Sequence, residues 1–422
     1  MITLDQSIHI VRSFKLECGT ELFDAPVAYK TWGKFNSERD NAMIICHALT
    51  GSADVQDWWG PMMGRGKAFD PSRYFIICAN VLGSPYGSAS PLTTNPRTGK
   101  PYGPSFPPTT IRDDIRIHKL VLDMLGVSSV AAVIGGSMGG MHVLEWPLCT
   151  PHGYVRNIVP LATSARHSAW CIAWAEAQRQ CVYADPTFQD GHYIVQPAAG
   201  LAAARMTAML TYRSRQSFET RFSRRQQKPP VAKSPDATRI PTPPPSPPTP
   251  VPKQLDAPTS TPTPTAAPMF AAQSYLRYQG SKFTGRFDAN CFIHITHKMD
   301  THDVARGRSP SSSLDATARI LGMLPPRTLV IGVESDGLFP PEEQAEIAEY
   351  IPDARLVLLQ SRDGHDGFLL EFEAMNTHIT NFLKSEMPEV YEGAVDEGDI
   401  EGFEVQKTSV FGEAEVEGEL EA

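Results

Sequence analysis

The chain has 422 residues, 41% hydrophobic and 20% charged, with a formal net charge of -9. That length suits one large α/β domain with an insertion, or two domains. The acidic balance argues against a nucleic-acid partner. No apolar run reaches the roughly 18 to 20 residues needed to span a bilayer, so no membrane partner is expected. Met1 to Lys15 has neither an apolar signal core nor an Arg-rich amphipathic pattern, so the expected location is cytoplasmic. The seven cysteines are scattered with no CxxC pair, which signals neither a disulfide framework nor a metal site.

In chain order, the apolar runs AMIIC (Ala42–Cys46), YFIICAN (Tyr74–Asn80), VAAVIGG (Val130–Gly136) and IVPLAT (Ile158–Thr163) come first. They are short, β-rich and apolar throughout, as strands covered on both faces are. A long helix-like block follows: HSAWCIAWAEAQRQ, then GLAAARMTAMLTYRSRQSFETRF, and later SYLRYQGSKFTGRF. Between the last two, about Ser223 to Pro268, lies a proline-rich stretch that lacks the donors and apolar residues of a packed core. Two further strand runs, TLVIGV (Thr328–Val333) and RLVLLQ (Arg355–Gln360), precede an acidic tail whose like charges favour disorder. Alternating strands and helices predict a mostly parallel sheet with helices on both faces. The expected division is a core over 1–163, a helical lid over 164–315 carrying the insertion at about 223–268, the rest of the core over 316–387, and a disordered tail over 388–422.

The chemistry centres on GGSMG, Gly135–Gly139, which matches G-x-S-x-G between a strand run and MHVLEW, helical until Pro147 stops it. Such a context makes a nucleophile elbow, with Ser137 on a sharp strand-to-helix turn, and it predicts an α/β-hydrolase fold. On the pattern alone, a glycine-rich turn with a structural serine is the alternative. The acid and the histidine should follow in that order. Asp336 comes just after TLVIGV. His365 comes just after RLVLLQ and is the one histidine of twelve with that placement and a glycine before it. His365 would take the Ser137 proton and Asp336 would fix its tautomer. The oxyanion hole would use the N–H of Met138 and of a residue in CHALTGSAD, with Leu49 the best candidate; an ordinary βα turn is the alternative for that loop.

These residues sit among longer motifs. YKTWGKFN, HALTGSADVQDWWGP, FDPSRYFIICANVLGSPYGS, IRDDIR, GGSMGGM, ATSARHSAWCIAW, ARMTAMLTYRS, RFDANC, DTHD, SDGLF and GHDGFLLEF resemble the fungal branch of the homoserine O-acetyltransferase family. The resemblance runs from about residue 10 to 385, broken by the proline-rich stretch, which matches no family motif. It implies acetyl transfer from acetyl-CoA to the side-chain hydroxyl of L-homoserine, for methionine synthesis, by double displacement through acetyl-Ser137. Acetyl-CoA is then a co-substrate, with no bound cofactor or metal. The family's triad falls on Ser137, Asp336 and His365. Its substrate-binding positions fall on Arg205 and Asp366, with Thr50 and Tyr212 lining the same pocket. Arg205 would fork onto the carboxylate and Asp366 would hold the ammonium. A homodimer is expected by family analogy. The alternatives are another acceptor, L-serine or deacetylcephalosporin C, or a serine esterase with the same triad.

Overall fold

The computed structural model describes residues 5–226, 269–309 and 314–392. The expected proline-rich insertion therefore lies outside the described residues, apart from its first few. Two antiparallel strands open the chain, β1 (Ser7–Lys15) and β2 (Glu21–Trp32), followed by β3 (Ala42–Cys46). After the short helix α1 (Val55–Trp59) come β4 (Phe75–Ala79) and a small hairpin, β5 (Thr94–Asn95) with β6 (Lys100–Pro101). Helix α2 (Ile111–Leu125) starts on a Thr110–Asp113 capping box and stops at Gly126, left-handed at φ 77°. Then follow β7 (Val130–Gly136), α3 (Met138–Cys149) and β8 (Val155–Leu161).

The helical block follows as α4 (Ala169–Tyr183), α5 (Ala198–Tyr212), α6 (Arg215–Arg221), α7 (Ala271–Thr284) and α8 (Ala289–Asp300). The chain then returns through α9 (Leu314–Leu321), β9 (Leu329–Val333), α10 (Pro341–Tyr350) and β10 (Arg355–Leu359). It closes with α11 (Gly367–Leu370), α12 (Phe372–Glu386) and α13 (Pro388–Glu392).

Eight strands form one sheet in the order β1-β2-β4-β3-β7-β8-β9-β10. From β4 to β10 every pairing is parallel; β1 and β2 extend that edge antiparallel. Why the inner strands read as continuous apolar runs is visible at β3. Met43 and Ile45 enter the core on one face, and Ala42, Ile44 and Cys46 enter the core on the other. Each Ile so buried contributes roughly 1.5–3 kcal/mol.

Two sequence expectations need correction. Pro147 does not stop α3, which runs on to Cys149. Near the helix end a proline costs only one backbone hydrogen bond, so the last turn survives it. The expected disordered tail, from 388, opens with α13 as ordered helix. Tyr391 packs edge-on against Tyr74 and meets its hydroxyl at 3.1 Å, and Arg73 donates to the Val390 carbonyl at 2.7 Å. These aromatic and carbonyl anchors outweigh the local charge. The tail from 393 onward lies outside the described residues.

A buried polar cluster joins the helical block to the core. Lys298 of α8 and Asp114 of α2 are both fully buried and pair at 2.6 Å. Asp114 also accepts from the Leu82 N–H, and His142 of α3 meets it at 2.9 Å. Burial would raise the Asp114 pKa, but Lys298 and then His142 overcome it and hold the carboxyl well below its usual range.

Candidate active site

The strand β7 ends directly at Ser137, whose backbone sits at φ 59°, ψ -125°. A non-glycine residue in that region carries strain on the order of 1–3 kcal/mol, held only by surrounding bonds. Here the Ser137 N–H donates to Leu161 at 3.0 Å, and its carbonyl accepts from the Thr163 hydroxyl at 2.8 Å. The turn also needs bare backbone beside it. A Cβ on Gly139 would stand 2.2 Å from the Cys46 carbonyl oxygen. The serine is thereby presented at the carboxyl edge of the sheet, at the N-terminus of α3, where the helix dipole favours negative charge.

Asp336 follows β9 and His365 follows β10, so parallel strands carry both to the same edge. His365 Nδ1 donates to Asp336 Oδ2 at 2.7 Å. The other carboxyl oxygen accepts from the N–H groups of Leu338 and Phe339, both at 2.9 Å. The imidazole is wedged by Phe339 and Phe368, with ring centroids at 5.1 and 5.2 Å. Burial pulls the His365 pKa down. Asp336, by charge and hydrogen bond, and then Asp366 more than offset it, so the ring titrates above the ordinary imidazole value. Nearby Glu343 is pushed up to about 8, first by burial and then by Asp336 and Glu346.

Ser137 and His365 line one cleft, together with Leu49, Thr50, Tyr212 and Asp366. Leu49 lies in the loop after β3, and Met138 is the first residue of α3. Neither backbone N–H meets a protein acceptor among the described residues, as donors reserved for a ligand oxygen would be. The arrangement can activate a hydroxyl, hold an acyl group on it and stabilise a tetrahedral oxyanion.

The expected substrate-binding residues divide. Thr50, Tyr212 and Asp366 line the cleft; Arg205 does not. Arg205 is 1% exposed, and its guanidinium lies over the rings of Phe283 at 5.2 Å and Tyr212 at 5.7 Å. It stands two turns before Tyr212 on α5, on the same helix face. Arg213 pairs with Asp366 at 2.7 Å and also holds Asp363 at 2.7 Å. Sequence reasoning passed over Arg213, although it lies in ARMTAMLTYRS, the motif that holds Arg205 and Tyr212. Nothing local marks it as paired with a carboxylate some 150 residues away. Among the described residues no group of three His, Cys, Asp or Glu side chains could hold a metal ion.

Comparison with known proteins bears on the fold and the family. The model of the alpha/beta hydrolase fold matches residues 41–372. A homoserine O-acetyltransferase of Cryptococcus neoformans var. grubii is 50% identical, over 98% of this chain and 96% of its own length. The enzyme of that name from Saccharomyces cerevisiae is 49% identical, over 97% and 93%. Among solved structures, homoserine O-acetyltransferase from Bacillus anthracis superposes with a TM-score of 0.75 at 21% identity, over 91% of this chain and 98% of that one. Esterase E22 superposes at 0.72 and 23% identity, over 90% and 99%. The two structures share the fold, whereas half-identity along nearly the whole length marks the family: this chain belongs to the homoserine O-acetyltransferases of the α/β-hydrolase fold.

Proposed function

We propose that the protein transfers the acetyl group of acetyl-CoA to the side-chain hydroxyl of L-homoserine through an acetyl-Ser137 intermediate. The observation that carries the reading is the identity of about half, over at least 97% of the chain, to fungal enzymes of that name. His365 Nε2 takes the Ser137 proton as Oγ attacks the thioester carbon. The oxyanion gathers at the N–H groups of Leu49 and Met138, and collapse expels the CoA sulfur with the proton from His365. Homoserine then enters. His365 removes its hydroxyl proton, the oxygen attacks the acetyl carbon, and Ser137 leaves with that proton. Thr50, Tyr212 and Asp366 hold the amino acid, with Arg205 beside Tyr212 and Arg213 fixing the Asp366 carboxylate. A cytoplasmic homodimer completes the proposal. Among the described residues no helix is long and apolar enough to cross a membrane.

Water competes with homoserine for the acyl-enzyme, and an esterase would let it win. A held acceptor can reach effective molarities of roughly 10⁵–10⁸ M, ample against bulk water. The test is the product ratio under acetyl-CoA with homoserine near saturation. O-acetylhomoserine should far exceed acetate, and serine should be the poorer acceptor. Acetate dominating at every homoserine concentration would make the protein an esterase.

A further inference from the structure

Two polar side chains of the cleft wall make no hydrogen bond to the protein among the described residues. His167, in the loop after β8, is 9% exposed; its ring packs on Phe339 at 5.8 Å, and neither ring nitrogen has a partner. Gln178, on α4, is 5% exposed, and its amide is likewise unpaired. Both line the same cleft as Ser137 and His365. Other polar groups of that wall are engaged. The Thr211 hydroxyl donates to Ala208, that of Thr296 to Phe292, and the Cys171 thiol to Leu338. His167 Nδ1 is a buried polar atom without a partner, and the Gln178 amide on the same cleft makes no protein hydrogen bond, so a ligand entering there meets unused bonding capacity on both.

The chemistry of the pair selects that ligand. Burial, reinforced by the positive fields of His302 and Arg179, pulls the His167 pKa down to about 3, so its ring is neutral. It offers one N–H and one lone pair. Gln178 is neutral and offers both as well. A neutral donor–acceptor pair matches amide groups and not the charged ends of an amino acid. The charged group on the cleft, Asp366, follows β10 and is paired with Arg213. Between the two neutral groups, Cys171, Trp174 and Ala175 share one face of α4 with Gln178, at helical spacing. From Cys171 to Gln178 the stripe rises about 10 Å. It begins beside His167, whose neighbour Phe339 flanks the catalytic imidazole.

We propose that His167 and Gln178 are the donor subsite, hydrogen-bonding the amides of the acyl donor's pantetheine arm along the apolar stripe of α4. The proposal rests on the acetyl-CoA reading above and separates the cleft into a neutral donor wall and a charged acceptor wall.

The test compares acetyl-CoA with p-nitrophenyl acetate, an acetyl donor that has no amide. Gln178→Met keeps length and helix propensity, and His167→Leu removes the ring nitrogens. Each should raise the KM for acetyl-CoA about threefold to tenfold, the value of one neutral hydrogen bond. Acylation by p-nitrophenyl acetate and the KM for homoserine should stay within twofold. His167→Gln, which keeps a neutral donor and acceptor, should recover part of the loss. An unchanged acetyl-CoA KM, a shift in the homoserine KM, or an equal loss with both donors would overturn the subsite. Wild-type protein that acetyl-CoA cannot acetylate would instead overturn the functional reading.

Discussion

Replacing Asp336 by Asn tests the triad at its least tolerant point. One carboxyl oxygen accepts two backbone N–H groups, and the other accepts His365 Nδ1–H. An asparagine has one oxygen for these two sites. Two fixed donors outweigh one, so the oxygen stays on Leu338 and Phe339 and the NH₂ faces His365. The ring must then accept at Nδ1 and carry its proton on Nε2, where it cannot take a proton from Ser137. The expected loss is about 10⁴-fold in acetyl-enzyme formation, or roughly 5 kcal/mol. The pH profile gives a second reading. Activity requires neutral His365, so kcat/KM rises with pH through its pKa. Asp336 is the main group offsetting burial at His365, so in the variant the midpoint should move to lower pH. Release of free thiol from acetyl-CoA, measured from pH 5 to 9, follows both effects. A loss under tenfold, or a midpoint that moves upward, would refute this account of Asp336.

Ser137→Ala should abolish the single acetyl adduct that mass spectrometry finds on the wild-type peptide; an adduct surviving on another residue would reassign the nucleophile. Arg213→Gln removes both of its carboxylate pairs and should raise the homoserine KM at least tenfold while the acetyl-CoA KM changes little, read from initial rates. Lys298→Met strands the Asp114 carboxylate and should cost about 3–5 kcal/mol in denaturant melts, with Asp114→Asn in the same chain recovering part of it.

Much of the catalytic geometry was legible because it is tied to strand ends. G-x-S-x-G, SDGLF and GHDGF each follow an apolar run, and in a parallel sheet such turns gather at one edge. The inner strands were equally plain, since burial on both faces leaves them apolar throughout. The edge strand β1 escaped notice because most of it is exposed, with only Val11 and Phe14 of Ser7–Lys15 buried, so it carries no apolar run. Side-chain partnerships were the least legible. Arg205 reads as a carboxylate fork, and the sequence does not show that its guanidinium also lies over the rings of Phe283 and Tyr212. Arg213 meets Asp366 only because α5 ends beside the loop after β10, and His167 and Gln178 stand out only once their lack of partners can be seen.

The same reasoning gives the polar cluster beneath the elbow a use. A buried ion pair seldom adds net stability over apolar residues of the same volume, so Lys298 and Asp114 need another account. Their bonds are directional: Lys298 donates to the Leu82 carbonyl as well as to Asp114, and His142 spans from Asp114 to the carbonyl of Met138. Met138 is the residue whose N–H faces the developing oxyanion in the proposed reaction. An apolar contact would let α8 slide over the core, whereas these bonds fix one register between α8, α2 and the first turn of α3. The helical block that lines the cleft and the peptide proposed to stabilise charge within it are therefore aligned by one set of bonds. An enzyme that must keep its acyl group from water needs that alignment more than one that ends in hydrolysis.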